Sequence, residues 1–243
     1  MSREPLERGD KQLGATKTVN VLLVDLDGTL TDPAEGIIGC FRYAVEAMGA
    51  AAPAAEDLTW IIGPALRISF AEVLGEEADV EKALGFYRER YSAAGIFQAK
   101  VYDGVPDALA KFRTEGVRLF LCTSKPIGYA RSVLSHFALD SYFDEAFGSE
   151  LDGRFEDKGS LIGHILHERR LDARDCLMWG DRKHDIVAAR LHSISTIGAL
   201  WGYGGEQELR AYGAAALCAS PTEVPPAFRE LVRARRATRS AAQ

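Results

Sequence analysis

The chain has 243 residues, enough for one large domain or a core with a smaller second unit, and its 47% apolar content supports a sizeable core without covalent staples. A net charge of -6 and an isoelectric point near 5.5 exclude general binding of nucleic acid polymers, which needs a basic face against phosphates. Four scattered cysteines, Cys40, Cys122, Cys176 and Cys218, form no CxxC pair and read as buried thiols of a cytoplasmic protein, and no apolar run approaches the roughly 20 residues of a membrane span.

Residues 1–18 mix both charge signs without an apolar segment, which predicts a disordered extension and not a signal peptide. The stretch "VLLVDLDGTLTD", residues 21 to 32, then predicts a buried strand at about 19–26 that ends on two aspartates. Residues i and i+2 of a strand share a face, so Asp25 and Asp27 repel unless something positive sits between them. From Asp32-Pro33, a cap and first-turn proline, apolar Ile37, Ile38, Phe41, Val45 and Met48 recur at helical spacing and Gly49 closes the end. A loop around "IIGPAL" and helical stretches near 65–74 and 78–94 follow, so 32–101 reads as an all-helical insertion.

From 102 onward the pattern alternates. "VPDALAKFRTEG" predicts a helix ending at Gly116, "VRLFLCTS" a strand, "PIGYARSVLSHF" a helix and "EAFGS" a short strand. A helix from about 158 to 170, the strand "DCLMWG", a helix over 183–192 and the strand "ISTIGAL" complete the series. Short apolar strands alternating with amphipathic helices define an α/β class with a parallel sheet, built from 19–31 and 102–228. Residues 229–243, with five arginines against one glutamate, are expected to be a solvated, fraying basic tail.

Parallel sheets bind ligands at the carboxyl ends of their strands, and the polar residues collect there. They are Asp25 and Asp27 after the first strand, Thr123, Ser124 and Lys125 after "VRLFLC", and Asp181 with Asp185 after "CLMWG"; Lys158 opens a helix between two of these strands. Singly, each has an ordinary structural reading: "DxDGT" as a turn, Thr123 and Ser124 as a helix cap, Lys158 as a surface lysine, "GDRKHD" as a helix start. Together they form a site.

Several carboxylates at one edge require a divalent cation, and an all-oxygen ligand set with room for water suits Mg²⁺, bridging Asp25, Asp181 and a substrate oxygen. An ionised Asp25 attacks phosphorus without a base, while Asp27, its pKa expected to be raised by like charge, protonates the leaving alcohol and then activates water. Lys158, Thr123 and the backbone N–H groups of Gly28 and Thr29 after Asp27 would stabilise the transferring phosphoryl group, with Ser124 and Lys125 beside them.

The motifs "DLDGTL", "LCTSKP", Lys158 in "FEDKGSLI" and "MWGDRKHDIVAA" resemble, in order and spacing, the four motifs of the haloacid dehalogenase superfamily phosphatases. The resemblance covers about 19–220 and implies a Rossmann-like core with a helical cap inserted after the first motif. It implies Asp25 as nucleophile, Asp27 as acid/base, Thr123 and Lys158 as phosphate binders, and Mg²⁺ held by Asp25, the backbone carbonyl of Asp27 and Asp181, with Asp185 in support. "IGPALRISF", "YRERYSAAGIFQAKVYDGV", "SELDGRFEDK" and "ALWGYGGEQEL" further resemble the phosphoglycolate phosphatase and 5'-nucleotidase-like branch, whose cap helps select the leaving group. By that resemblance Arg67 is a candidate substrate contact, with a solvated helix charge as the alternative. Relatives usually carry a glycine where this chain has Ser193.

The expectation is a Mg²⁺-dependent hydrolase of small phosphorylated metabolites. A phosphomutase sharing the Asp25 chemistry, or a catalytically idle member serving as a binding module, are the alternatives. Substrate identity and oligomeric state stay open.

Overall fold

Strand β1 (Val21–Val24) is buried at every position, as a strand covered on both faces must be. Its side chains alternate: Leu22 and Val24 join one core cluster while Val21 and Leu23 join a second on the opposite face. The computed structural model describes residues 20–75 and 77–241. The extension expected at 1–18 lies outside them.

Past β1 the chain turns through β2 (Thr31–Asp32) into α1 (Ala34–Ala47). The Asp32 carboxylate accepts a hydrogen bond from the Ala34 N–H at 3.0 Å, and Gly49 closes the helix at φ +82°. A 3₁₀ segment at Ala55–Ile61, α2 (Leu66–Leu74) and α3 (Val80–Ala93) follow. β3 (Lys100–Val101) then pairs antiparallel with β2. The helical segment therefore begins and ends on two joined strands of two residues each, too short for any periodicity to announce.

Next come α4 (Val105–Thr114), β4 (Arg118–Pro126), α5 (Ile127–His136), β5 (Glu145–Ser149), α6 (Lys158–Glu168), β6 (Cys176–Gly180) and α7 (Lys183–Leu191). β7 (Ser195–Ala199), α8 (Gly205–Tyr212), β8 (Ala216–Cys218) and α9 (Val224–Ala241) complete the chain. The sheet runs in the order β5-β4-β1-β6-β7-β8 with every pair parallel. Ser193 occupies the left-handed region at φ +59°, so a serine accepts the turn before β7.

The two faces are covered unequally. Helices α6 and α7 pack over Val21, Leu23, Phe120, Cys122 and Met178 through Leu161, Ile162, Ile165, Ala188 and Ala189. The larger cluster joins the other sheet face to the helical segment through Phe41, Phe70, Tyr87 and Tyr91, and to α9 through Phe228.

The expected basic tail is a helix. α9 seats Phe228 against Phe112 with ring centroids 5.3 Å apart, and Leu231 and Val232 pack on the core. Arg229 pairs with Glu115 at 2.7 Å, and Arg235 donates to the Cys176 carbonyl at 2.7 Å and to Ser195 Oγ at 2.8 Å. An apolar stripe interleaved with the arginines gives the segment a reason to fold that the charge count hid. All four cysteines are buried and unbridged. No helix among the described residues is long and apolar enough to cross a membrane.

Candidate active site

β1 ends at Val24, and the Asp25 N–H continues its alignment by donating to the Trp179 carbonyl of β6 at 2.9 Å. The chain then folds tightly: Leu26 O accepts from the N–H groups of Thr29, Leu30 and Thr31, and Gly28 sits at φ +82°. A Cβ on Gly28 would lie 2.2 Å from Asp181 Oδ2, so only glycine permits this approach. Gly202 and Gly204 press on the same aspartate from the other side, where Cβ atoms would fall 2.3 Å from Asp181 Cβ and 2.1 Å from its carbonyl oxygen. Asp181 is thus packed among three glycines, with Oδ1 accepting from Thr29 Oγ1 at 3.1 Å and Oδ2 from the Tyr203 N–H at 2.8 Å.

The structure brings Asp25, Asp181 and Asp185 together: one carboxylate oxygen from each lies within 4.8 Å of the others, and all three residues are buried. Lys158, at the start of α6, places Nζ 2.6 Å from Asp185 Oδ1 and 3.0 Å from Asp25 Oδ1. Asp185 Oδ2 accepts from the Arg182 N–H at 3.0 Å, which ties it to the start of α7. Three carboxylates against one ammonium leave a net negative centre in a low-dielectric site. Burial, then the charge of Asp185, push the Asp25 carboxyl up to about 7, against the opposing pull of Lys158. Burial also raises Asp181, with Asp185 and Asp25 adding to it. Such a hard, all-oxygen, under-neutralised set fits a divalent cation of the Mg²⁺ type.

Asp27 is placed differently from expectation. Oδ2 of its carboxylate accepts from Lys125 Nζ at 2.7 Å. The repulsion between the two strand-end aspartates is resolved by giving each its own buried lysine, Lys158 for Asp25 and Lys125 for Asp27. Lys125, expected to contact substrate, is engaged with Asp27, while its N–H bonds to Thr123 Oγ1 at 3.2 Å. Thr123 is buried beside Asp25, and the Ser124 carbonyl accepts from Ser149 Oγ at 2.7 Å.

A cleft opens from Asp25 and Asp27 toward α2 and α3, and Thr123, Ser124, Lys125 and Arg67 all line it. Arg67 is neither free nor simply solvated: it pairs with Glu81 and, through Nε at 3.2 Å, with Glu156 in the loop before Lys158. The reading of the sequence missed the aromatic wall. Tyr87 and Tyr91 stack at 5.2 Å, and Tyr129 meets Tyr91 edge-on at 5.4 Å. Two tyrosines four apart on α3 share one helix face, which is the signal that was present. Arg182 was also missed; its Nη1 donates to the Ile62 carbonyl at 2.6 Å across 120 residues of sequence, which no local pattern encodes.

Residues 22–199 match the haloacid dehalogenase-like hydrolase family, and the chain belongs to it. It is a phosphatase of that family, as the relatives bear out. A 5'-nucleotidase of Pseudomonas aeruginosa is 41% identical over 199 residues, covering 82% of this chain and 90% of that protein. The tyrosine-protein kinase PtkA of Mycobacterium tuberculosis is 40% identical over 185 residues, covering 76% of this chain and 63% of the kinase's own length. Phosphoglycolate phosphatases match at lower identity, 24% in Colwellia psychrerythraea. Among solved structures, a predicted phosphatase from Clostridium acetobutylicum superposes with a TM-score of 0.81 at 33% identity, covering 88% of this chain and 99% of that one.

Proposed function

We propose that this protein hydrolyses small phosphomonoesters with Mg²⁺ through a transient aspartyl phosphate on Asp25. The observation that carries the reading is the convergence of Asp25, Asp181 and Asp185 beside Lys158 at the floor of the cleft. Asp25, Asp181 and the backbone carbonyl of Asp27 would hold Mg²⁺, with Asp185 in support. When bound, that ion supplies charge neutralisation for the phosphoryl oxygens and for the acidic cluster.

The chain's own residues divide the remaining work. Asp25 forms the bond to phosphorus, and Lys158 holds its carboxylate in line. Thr123 and the N–H groups after Asp27 bind the phosphoryl oxygens, and Asp27 exchanges the proton with the leaving oxygen and then with water. The helical segment 32–101 acts as a cap over the leaving group, attached to a core of 19–31 and 102–228.

Against phosphoglycolate, the lining favours a nucleoside monophosphate. Tyr87, Tyr91 and Tyr129 present flat apolar surface suited to a ring. Arg67, one of two arginines lining the cleft, is already paired with two glutamates. The four unbridged cysteines fit a cytoplasmic protein working on small metabolites.

The test is release of inorganic phosphate from adenosine 5'-monophosphate, phosphoglycolate and para-nitrophenyl phosphate, with Mg²⁺ and with EDTA, by wild type and Asp25→Asn. Mg²⁺-dependent release lost in Asp25→Asn supports hydrolysis. Phosphate retained and passed to a second hydroxyl makes the protein a phosphomutase. No release from clean protein leaves a binding module.

A further inference from the structure

The two oxygens of the Asp27 carboxyl group have unequal surroundings. Oδ2 is anchored by the Lys125 ammonium at 2.7 Å, whereas Oδ1 is buried and has no hydrogen-bond partner. A buried oxygen without a partner is costly, and it persists where a ligand completes it. Lys125 is 8% exposed, comes from the end of β4, and lies 5.0 Å from the centre of the Tyr91 ring on α3. One carboxyl group is therefore held by two parts of the molecule: the sheet through Lys125, and the helical segment through the aromatic face behind that lysine.

Resting on the phosphatase reading above, we propose that Lys125 is a positioning residue that fixes the Asp27 carboxyl with Oδ1 toward the ester oxygen. Tyr91 completes the clamp from the cap side. Asp27 is then aimed at the leaving group only while α3 covers the cleft. In the first half-reaction an Asp25 oxygen bonds to phosphorus, and the bond from phosphorus to the ester oxygen breaks with its electron pair on that oxygen. Asp27 Oδ1 supplies the proton there, and the carboxylate formed stays beside an ammonium that has not moved. In the second half-reaction water attacks phosphorus and its proton passes to Asp27. The bond from phosphorus to the Asp25 oxygen breaks, and the pair returns to Asp25.

This differs from a phosphate-binding role for Lys125, and the leaving group separates the two. Para-nitrophenolate departs without a proton, whereas the alkoxide of adenosine 5'-monophosphate does not. Lys125→Met is expected to lower kcat/KM, which reports the steps up to departure of the leaving group, by about 10²-fold or more on adenosine 5'-monophosphate and only a few-fold on para-nitrophenyl phosphate, while the later attack of water on the Asp25 adduct slows equally for both. Tyr91→Leu should move the same ratio in the same direction by a smaller factor, and Tyr91→Phe, which keeps the ring and loses only the hydroxyl's contact with the ammonium, should restore most of it. Equal losses of kcat/KM on both substrates overturn the proposal and return Lys125 to phosphate binding. If Lys125→Met fails to fold by circular dichroism, the Tyr91 pair decides: an unchanged ratio in Tyr91→Leu overturns the clamp. Wild type inactive on both substrates refutes the phosphatase reading instead.

Discussion

Lys158 Nζ lies 2.6 Å from Asp185 Oδ1 and 3.0 Å from Asp25 Oδ1, so one ammonium from α6 joins the carboxyl end of β1 to the first turn of α7. Its burial makes the pair asymmetric in consequence: the arrangement adds little to stability over apolar packing, yet removing the lysine strands three buried carboxylates. Lys158→Met is expected to destabilise metal-free protein by about 3–5 kcal/mol, seen in the denaturant midpoint. Saturating Mg²⁺ should recover part of that loss, because the ion neutralises the same charges. Turnover should fall at least ~10²-fold and stay low with the ion present, since Asp25 loses the group that orients it.

Metal removal should expose the acidity of the cluster. With Asp25 raised to about 7 and Asp181 raised as well, the folded metal-free protein binds protons more tightly than the unfolded chain. The Asp25 contribution to stability is therefore full at low pH and is lost as pH climbs from about 4 through 7, with the raised Asp181 adding a loss of the same sign. Asp25→Asn lacks the Asp25 part of that loss. In EDTA, the melting temperature of Asp25→Asn minus that of wild type should grow with pH across this window. In saturating Mg²⁺ the growth should disappear, because the ion replaces the proton.

The alternation of "VLLV", "RLFLC" and "CLMWG" with helices made the sheet legible, and the polar residues at their ends made the acidic centre legible, because both are written in short local patterns. What escaped depends on contacts between distant segments. Nothing near Lys125 in sequence tells which carboxylate it meets, because Asp27 is 98 residues away. The segment from 229 looked like a tail because it sets five arginines against one glutamate, and only packing reveals that Phe228, Leu231 and Val232 all join the core.

Gly28 tests close packing against backbone strain. Gly28→Ala forces Cβ to within 2.2 Å of Asp181 Oδ2 and keeps φ at +82°. Gly49→Ala meets the same φ of +82° with nothing within 4 Å. Gly49→Ala should therefore cost only the conformational term, about 1–2 kcal/mol, with activity unchanged. Gly28→Ala should cost more than that and should also lower Mg²⁺ affinity, read by titration of the melting temperature, because the displaced carboxylate is one of the cluster.

Arg182 follows Asp181 directly and reaches out of the core: Nη1 donates to Ile62 O at 2.6 Å, and Nε donates to Glu208 Oε1 at 3.1 Å. Ile62 precedes Gly63 and the cleft-lining stretch up to Arg67. Arg182→Ala leaves the Ile62 carbonyl without this donor, a loss of about 1–3 kcal/mol. Faster amide exchange confined to residues 60–66 and a several-fold rise in KM with kcat nearly kept are the expected outcome. Unchanged exchange there would show that the loop holds its place without the arginine.

The role of α9 is decided by which end of the sheet it touches. Arg235 bonds to Cys176 O and Ser195 Oγ, the first residues of β6 and β7, whereas Asp181 follows the last residue of β6. The helix therefore braces the amino edge, away from the chemistry. Deleting 229–243 removes Arg235, the Arg229–Glu115 pair at 2.7 Å and the contacts of Leu231 and Val232 while leaving Phe228 in the core. The truncated protein should melt several degrees lower, the equivalent of a few kcal/mol for a chain of this size, yet rank phosphomonoesters in the same order as the full chain. Arg235→Ala alone should reproduce about 1–3 kcal/mol of that loss, since it unpairs the Cys176 carbonyl. A changed ranking on truncation would mean that the brace reaches the cleft through β6 after all.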